Sequence, residues 1–171
     1  KNTLNTTHSI ETYNKTVGTA VTLGTFDGVH IGHQKILDQV NQTAEKHHLE
    51  SVLLSFFPHP RMVLQKEQSI KLLNTLEEKE QLLKKFKLNN FIVIPFTKEF
   101  SRLTSTEFIR EILINKLNTK KLVIGYDHHF GRNREGSFEH LKECEGLYGF
   151  QVEEIPAQDI EEVTVSSTKI R

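Results

Sequence analysis

Cysteine, proline, glycine and net charge are all scarce in this sequence of 171 residues. The single cysteine, Cys144, excludes an internal disulfide and a thiolate-rich metal site. Nine glycines and four prolines, beside 36% apolar residues, exclude collagen-like and disordered chains. Basic and acidic residues number 22 each, which argues against a general binder of nucleic acid or of acidic membrane surfaces.

The sequence also lacks signals for export or membrane insertion. No apolar run reaches the ~18 residues that suggest a membrane span. The first residues are polar and show no basic-then-apolar signal architecture. A lone cysteine suits a reducing compartment. We therefore expect a soluble, cytoplasmic protein with no nucleic-acid and no membrane partner.

Short apolar runs alternate with helical patterns along the chain. Near-continuous apolar strands separated by helices are typical of a parallel sheet that is covered on both faces. Capping signatures stand at 75–78 and 104–107, and Ser137 and Gly149 are predicted to begin and end the last helix. The sequence thus predicts one α/β domain over residues 1–171, a Rossmann-like parallel sheet flanked by helices on both faces, with the first strand central. The predicted strands are 19–23, 52–57, 91–96, 122–124 and 150–155.

A glycine-rich turn leads from the first predicted strand into a helix over residues 24–33, Gly-Thr-Phe-Asp-Gly-Val-His-Ile-Gly-His. In such sheets ligands bind beyond the carboxyl ends of the strands, and a helix N-terminus attracts phosphate. His30 and His33 can donate hydrogen bonds to phosphate oxygens there. Three interpretations are open: phosphate binding, a structural role in the turn, and a zinc site, for which no third or fourth ligand is visible nearby. Neither a P-loop nor a Gly-x-Gly-x-x-Gly fingerprint is present.

Five ordered segments resemble the FMN adenylyltransferase module of prokaryotic FAD synthetases, within the nucleotidylyltransferase superfamily. The turn at 24–33 resembles the superfamily's His-x-Gly-His signature, and the other four segments narrow the resemblance to the flavin enzymes. These four are Phe-Pro-His-Pro at 57–60, the segment 100–109, Gly-Tyr-Asp-His-His-Phe-Gly-Arg-Asn-Arg-Glu-Gly at 125–136, and Val-Ser-Ser-Thr-Lys-Ile-Arg at 165–171.

Two positions depart from the family pattern. His128 stands where the family usually has Phe, in the loop on the flavin side, and Ser137 stands where Asp or Asn is more usual. Family members typically continue into a riboflavin kinase domain, whereas this sequence stops at Arg171, inside the last motif. The resemblance therefore implies a fused riboflavin kinase domain in the intact protein.

The resemblance implies that ATP and FMN give FAD and pyrophosphate, with magnesium carried on the nucleotide phosphates. The FMN phosphate would attack the α-phosphorus of ATP in line, without a covalent intermediate, so that positioning and charge neutralisation supply the catalysis. No metal is expected to be held by the protein itself. The implied catalytic residues are His30 and His33; the implied ATP site is Gly24, Phe26, Asp27, His30, His33, Ser167, Thr168 and Arg171; the implied FMN site is Pro58, His59, Asp127 and Arg132.

Several of these residues also have structural interpretations. Asp27 can serve as a turn carboxylate, the hydroxyls at 166–168 as a helix cap, and His59 and Arg132 as solvated side chains. At the level of function, two alternatives to FAD synthesis are open. One is another adenylyl- or cytidylyltransferase of the superfamily, and the other is a catalytically silent module that binds flavin or nucleotide.

Overall fold

Six parallel strands form a single sheet in the computed structural model, which describes residues 5–7, 17–24, 31–57, 80–81, 83–126, 129–132 and 135–155. Along the sheet their order is β1-β4-β3-β2-β5-β6, so β2 is an interior strand, as predicted. The apolar runs predicted as strands are confirmed, with ends shifted by no more than a few residues. The strands are β1 Asn5–Thr7, β2 Thr19–Leu23, β3 Glu50–Phe57, β4 Asn90–Pro95, β5 Thr119–Gly125 and β6 Gln151–Ile155.

Four helices connect the described strands. They are α1 Ile31–His47, α2 Lys98–Ser101, α3 Ser105–Phe108 and α4 Phe138–Tyr148. Residues 80, 81 and 83 are also helical and lead into a 3₁₀ turn, Lys84–Phe86. The predicted caps of α3 and α4 are confirmed: Thr104 and Glu107 form a capping box, the Ser137 hydroxyl accepts from the His140 N–H, and Gly149 ends α4 with φ +74°. The capping signature at 75–78 lies outside the described residues.

The helix that begins with α3 widens after one turn into a π-helix, Ile109–Lys116. The Leu117 N–H donates to the Ile112 carbonyl, five residues back, at 3.1 Å. Two buried threonines of the sheet take part in this ending, because the Thr19 and Thr119 hydroxyls donate to the Leu117 and Leu113 carbonyls. The widened turn is therefore held by the sheet beneath it, a constraint that local sequence does not carry.

Two hydrophobic layers enclose the sheet, as the predicted cover on both faces requires. Val21 and Leu23 of β2 pack towards α3, its π-helical continuation and α4. Ala20 of the same strand packs on the opposite face, with the buried side chains of α1 and the 3₁₀ turn region. None of the helices that the structure describes combines the length and the apolar character of a membrane span.

Strand order reverses between β2 and β5. From β2 the chain moves outward through β3 to β4, and it then returns to the other side of β2 to form β5 and β6. Such a reversal opens a crevice at the carboxyl ends of the strands, where open α/β sheets bind their ligands. The C-terminal ends of β2, β3 and β5 therefore lie side by side at one end of the sheet, which we call the carboxyl edge.

Candidate functional site

Gly24 directly follows β2, and the described chain resumes at Ile31, the first residue of α1. Gly24 has φ +149°, a conformation that favours glycine, and its N–H donates to the Leu54 carbonyl at 3.1 Å. α1 starts at Ile31 and runs for 17 residues, so His33 lies in its first turn. The backbone N–H groups of that turn have no partners within the helix and favour an anion.

Thr22 lies two residues before Gly24, and its hydroxyl is buried with no hydrogen-bond partner among the described residues. Thr22 is paired in register with Leu53 of β3 and Val123 of β5, both buried on the α1 side. An unpaired hydroxyl in apolar surroundings raises the free energy of the folded state. It is therefore a polar group near the carboxyl edge that no described residue satisfies.

Two large aromatic side chains are exposed where β3 and β5 end. Phe57 is 42% exposed and Tyr126 is 59% exposed. Their strands flank β2, so the two strand ends are about 10 Å apart, twice the usual spacing of neighbouring strands. Exposed aromatic rings at the ends of the strands that flank β2 can contact a planar ligand.

A chain of five phenylalanine rings supports this edge from beneath. Phe56 contacts Phe96 and Phe100 at centroid distances of 6.0 and 5.8 Å. Phe108 lies 6.2 Å from Phe100 and 5.6 Å from Phe130, mostly in edge-on or tilted arrangements. These rings link β3 to Phe130, in the segment after β5, through one packed layer.

We call residues 129–136 the Arg132 loop; residues 133 and 134 lie outside the described part. Phe130 and Gly136 close the loop with two backbone hydrogen bonds of 3.3 and 2.8 Å. The Arg132 N–H donates to the Leu103 carbonyl at 2.8 Å. Gly131 has φ +78°, and a Cβ there would come within 2.9 Å of the Ser105 Cα. The loop is thus seated closely on the connection between α2 and α3.

The guanidinium of Arg132 is half-exposed and is only weakly engaged by a carboxylate. Its Nη2 lies 3.8 Å from Glu135 Oε2, with both side chains more than 40% exposed. An exposed pair of this kind contributes little to stability. The nearby carboxyl of Glu107 has its pKa lowered, chiefly by the Thr104 backbone N–H, with a smaller effect of Arg132. Arg132 is therefore a cation at the edge that an anionic ligand can recruit.

His140, in the first turn of α4, contacts two hydroxyls of α3. Its Nδ1 lies 2.9 Å from Ser105 Oγ and its Nε2 lies 3.4 Å from Thr106 Oγ1. Sequence reasoning found the capping box beside these residues but missed the contact. No local pattern indicates a partnership between side chains 35 residues apart.

Of the residues implied by the resemblance, the structure describes Gly24 and Arg132 fully and His33 through its backbone, all beyond the carboxyl ends of strands. Whether the remaining residues converge on one cleft stays a prediction. Within the described ranges, no group of three or more His, Cys, Asp and Glu side chains is arranged to hold a metal ion. The site residues outside the described part are Phe26, Asp27, His30, Pro58, His59, Asp127, Ser167, Thr168 and Arg171.

A groove of about 460 Å³ lies at the other end of the sheet, between the second half of α1, the start of β6 and α4. It is lined by three lysines and a histidine, Lys46, Lys121, Lys142 and His47. The pKa of His47 is lowered by desolvation and then by the neighbouring charges of Lys121 and Lys46. None of the described residues implied in the site lines this groove, so it is separate from the carboxyl edge.

Comparison with known proteins identifies relatives of this chain. Three relatives are each named bifunctional riboflavin kinase/FMN adenylyltransferase. The one from Buchnera aphidicola subsp. Schizaphis graminum is 38% identical over 96% of this chain and 52% of its own length. The Haemophilus influenzae protein is 36% identical over 90% of this chain and 50% of its own length. The Escherichia coli K12 protein is 31% identical over 90% of this chain and 49% of its own length. The chain thus spans about half the length of these relatives.

A solved structure shares the fold. It is a crystal structure described as a macrolide-efflux protein from Streptococcus pneumoniae. Its sequence is 26% identical to this chain, and its TM-score is 0.77. The match covers 90% of this chain and 58% of that chain. The sequence model of the FAD synthetase family matches residues 12–169, which is nearly the whole chain. By that match and by the relatives it aligns with, this chain belongs to the FAD synthetase family.

Proposed function

We propose that this chain transfers AMP from ATP to FMN, giving FAD and pyrophosphate. The observation that carries the proposal is the FAD synthetase match over residues 12–169, on a fold whose strand order reverses at β2, the strand that Gly24 follows. The relatives are named for FMN adenylyltransferase and for riboflavin kinase, and this chain aligns with about half of each.

In the proposed reaction, an oxygen of the FMN phosphate forms a bond to the α-phosphorus of ATP, and the bond from that phosphorus to the oxygen that bridges it to the β-phosphorus breaks, which releases pyrophosphate. His30 and His33 would stabilise charge that grows on the phosphates, aided by the N–H groups that begin α1. Gly24, Phe26 and Asp27 would shape the nucleotide side, and Ser167, Thr168 and Arg171 would hold phosphates. Each of these roles rests on the resemblance of the motifs.

FMN would bind on the β3 and β5 side of the edge. Pro58 and His59 directly follow the exposed ring of Phe57, and Asp127 directly follows the exposed ring of Tyr126. These neighbours support a site for the planar isoalloxazine ring. Arg132, half-exposed and loosely paired, would meet the FMN phosphate.

Magnesium enters this proposal as part of the substrate, the MgATP complex. It is a hard ion that prefers oxygen ligands and is usually bound through substrate phosphates with few protein carboxylates. The intact protein is proposed to carry a riboflavin kinase domain besides this single domain, in line with the names of the relatives. A cytoplasmic location is part of the same proposal, because Cys144 is a free thiol.

The direct test is FAD formation from ATP, FMN and magnesium, followed by chromatography together with pyrophosphate release. We expect one FAD per pyrophosphate, with ATP preferred over CTP and no dinucleotide from riboflavin, which lacks the attacking phosphate. A preference for CTP with another phosphate acceptor would indicate a different transferase of the superfamily. Binding of ATP and FMN without turnover would indicate a silent module.

The FMN side has its own test in Asp127→Ala. We expect this change to raise the KM for FMN more than the KM for ATP, on the scale of one hydrogen bond to a buried ligand, ~1–3 kcal/mol. Equal losses for the two substrates would assign Asp127 to the nucleotide side or to the scaffold.

A further inference from the structure

One imidazole joins two helices that are separate in the chain. His140 of α4 contacts Ser105 Oγ at 2.9 Å through Nδ1 and Thr106 Oγ1 at 3.4 Å through Nε2. Ser105 is buried, and His140 and Thr106 are half-buried. A neutral imidazole offers one donor and one acceptor, and a hydroxyl can take either role, so both contacts can form together. The first turn of α3 is thus fastened to the first turn of α4.

Ser105 of α3 and Leu103, just before α3, support the Arg132 loop. A Cβ on Gly131 would approach the Ser105 Cα to 2.9 Å, and the Arg132 N–H donates to the Leu103 carbonyl at 2.8 Å. The loop then ends at Gly136, next to Ser137, whose hydroxyl accepts from the His140 N–H at 3.3 Å. The spacing of α3 and α4 therefore fixes both the seat and the end of the loop.

We propose that His140 is a positioning residue for FMN, holding α3 and α4 at the spacing that presents Arg132 to the FMN phosphate. This inference rests on the proposed function. His140 acts through the Arg132 loop and touches no substrate, so its loss should weaken FMN use and leave the ATP side intact. His140 itself lies outside every motif that identified the family, whereas its partners Ser105 and Thr106 lie in the segment 100–109.

The test compares His140→Leu, which fills a similar volume without hydrogen bonds, with His140→Asn, which keeps a polar group close to the position of Nδ1. His47→Leu is the matched control, because His47 is exposed at the end of α1, beside the groove at the other end of the sheet. In His140→Leu we expect the KM for FMN to rise by about threefold to tenfold, the scale of one net hydrogen bond. The KM for ATP and kcat should stay within about twofold of the wild type.

His140→Asn should recover most of the loss in FMN use, and His47→Leu should behave as the wild type. A merely structural role predicts instead a lower melting temperature with no preference between the substrates. A folded His140→Leu protein with an unchanged KM for FMN would overturn the proposal. So would an equal rise in the KM for both substrates.

A second readout does not depend on catalysis. Because the Arg132 N–H is bonded to Leu103, its hydrogen exchange reports how firmly the loop is seated. We expect exchange at Arg132 to be about tenfold faster in His140→Leu, and unchanged exchange would contradict the positioning role. If the wild type makes no FAD, the proposed function fails, and this measurement still decides whether His140 seats the loop. If His140→Leu does not fold, Ser105→Ala removes the partner hydroxyl and should change both readouts in the same direction.

Discussion

The hydroxyls of three buried threonines in the sheet differ in their hydrogen bonding. Thr19 donates to the Leu117 carbonyl at 2.7 Å and Thr119 donates to the Leu113 carbonyl at 2.6 Å. Thr22 is equally buried, and its hydroxyl has no partner in the part of the chain that the structure describes. A hydrogen bond within the protein offsets the free energy that a hydroxyl loses when it is removed from water, and a buried hydroxyl without such a bond has no offset.

This contrast predicts opposite effects for the same substitution. Thr22→Val removes an unpaired hydroxyl at nearly constant volume, so we expect the free energy of unfolding to rise by about 1 kcal/mol. Thr19→Val leaves the Leu117 carbonyl without its donor, so we expect the free energy of unfolding to fall by about 1–2 kcal/mol. Urea unfolding monitored by circular dichroism measures both. A Thr22→Val protein that is less stable than the wild type would show that the hydroxyl has a partner in the folded protein.

Substitution of His33, at the start of α1, distinguishes a catalytic role of this residue from a structural one. An interaction that strengthens in the transition state changes turnover more than ground-state binding. We expect His33→Ala to melt normally, to change ATP affinity modestly, and to slow FAD formation by about 10²-fold or more. The matched control is His47→Ala, in the last turn of the same helix. Near-native turnover in a normally folded His33→Ala protein would refute the catalytic role, and loss of metal with unfolding would indicate a zinc ligand instead.

At the scale of elements, α4 protects the beginning of the edge strand β6. Glu145 accepts a hydrogen bond from the Val152 N–H at 2.8 Å, and Lys142 lies 3.3 Å from the same carboxylate. An edge strand with unpaired N–H groups invites pairing with other chains, and a carboxylate that binds one of them blunts that edge. The bond to Val152 is the main reason that the pKa of Glu145 is lowered from its ordinary value of 4.5.

A pH dependence follows from that lowered pKa. Because the folded state favours the charged carboxylate, its contribution to stability is present above pH 4.5 and is lost as the pH falls through the folded-state pKa. We expect Glu145→Ala to reduce the free energy of unfolding at pH 7 by about 1 kcal/mol, and the deficit should shrink towards pH 3. Glu143→Ala, which removes an exposed carboxylate from the same helix, is the control. A deficit that stays constant with pH would assign the effect to packing.

At the scale of the whole molecule, the sheet has two ends with different chemistry. The carboxyl edge holds exposed rings and the N-terminus of α1, whereas the other end holds the groove with Lys46, Lys121 and Lys142. The strand reversal between β2 and β5 predicts that substrates bind at the carboxyl edge.

Hydrogen exchange can tell these two ends apart. With FMN or a non-hydrolysable MgATP analogue, each added alone at about 100 times its Kd, we expect a stabilisation of about 2.7 kcal/mol and a rise in Tm of roughly 5–10 °C. Protection should increase at Gly24, at the first turn of α1 and at Tyr126, and stay unchanged at Lys121 and Gln151. Protection confined to the groove would contradict the assignment of the site to the carboxyl edge.

The sequence by itself determined the features that short-range physics controls. Runs of Val, Ile, Leu and Phe gave the strands and their burial on both faces, because a parallel sheet between helices needs nearly continuous apolar strands. Thr104, Ser137 and Gly149 set helix ends through hydrogen bonds or backbone angles within a few residues. The ordered motifs identified the family for the same reason, since each motif is a local stretch of chain.

Only the tertiary structure decided the features that join distant residues. The strand Asn5–Thr7 is polar and carries no apolar signal, and it exists because β4 offers it an edge. The π-helix at Ile109–Lys116 depends on threonines of two strands, and the pairing of His140 with Ser105 crosses 35 residues. Such contacts leave no periodic trace in the sequence, because each requires two elements to meet whose packing is fixed only when the whole core forms.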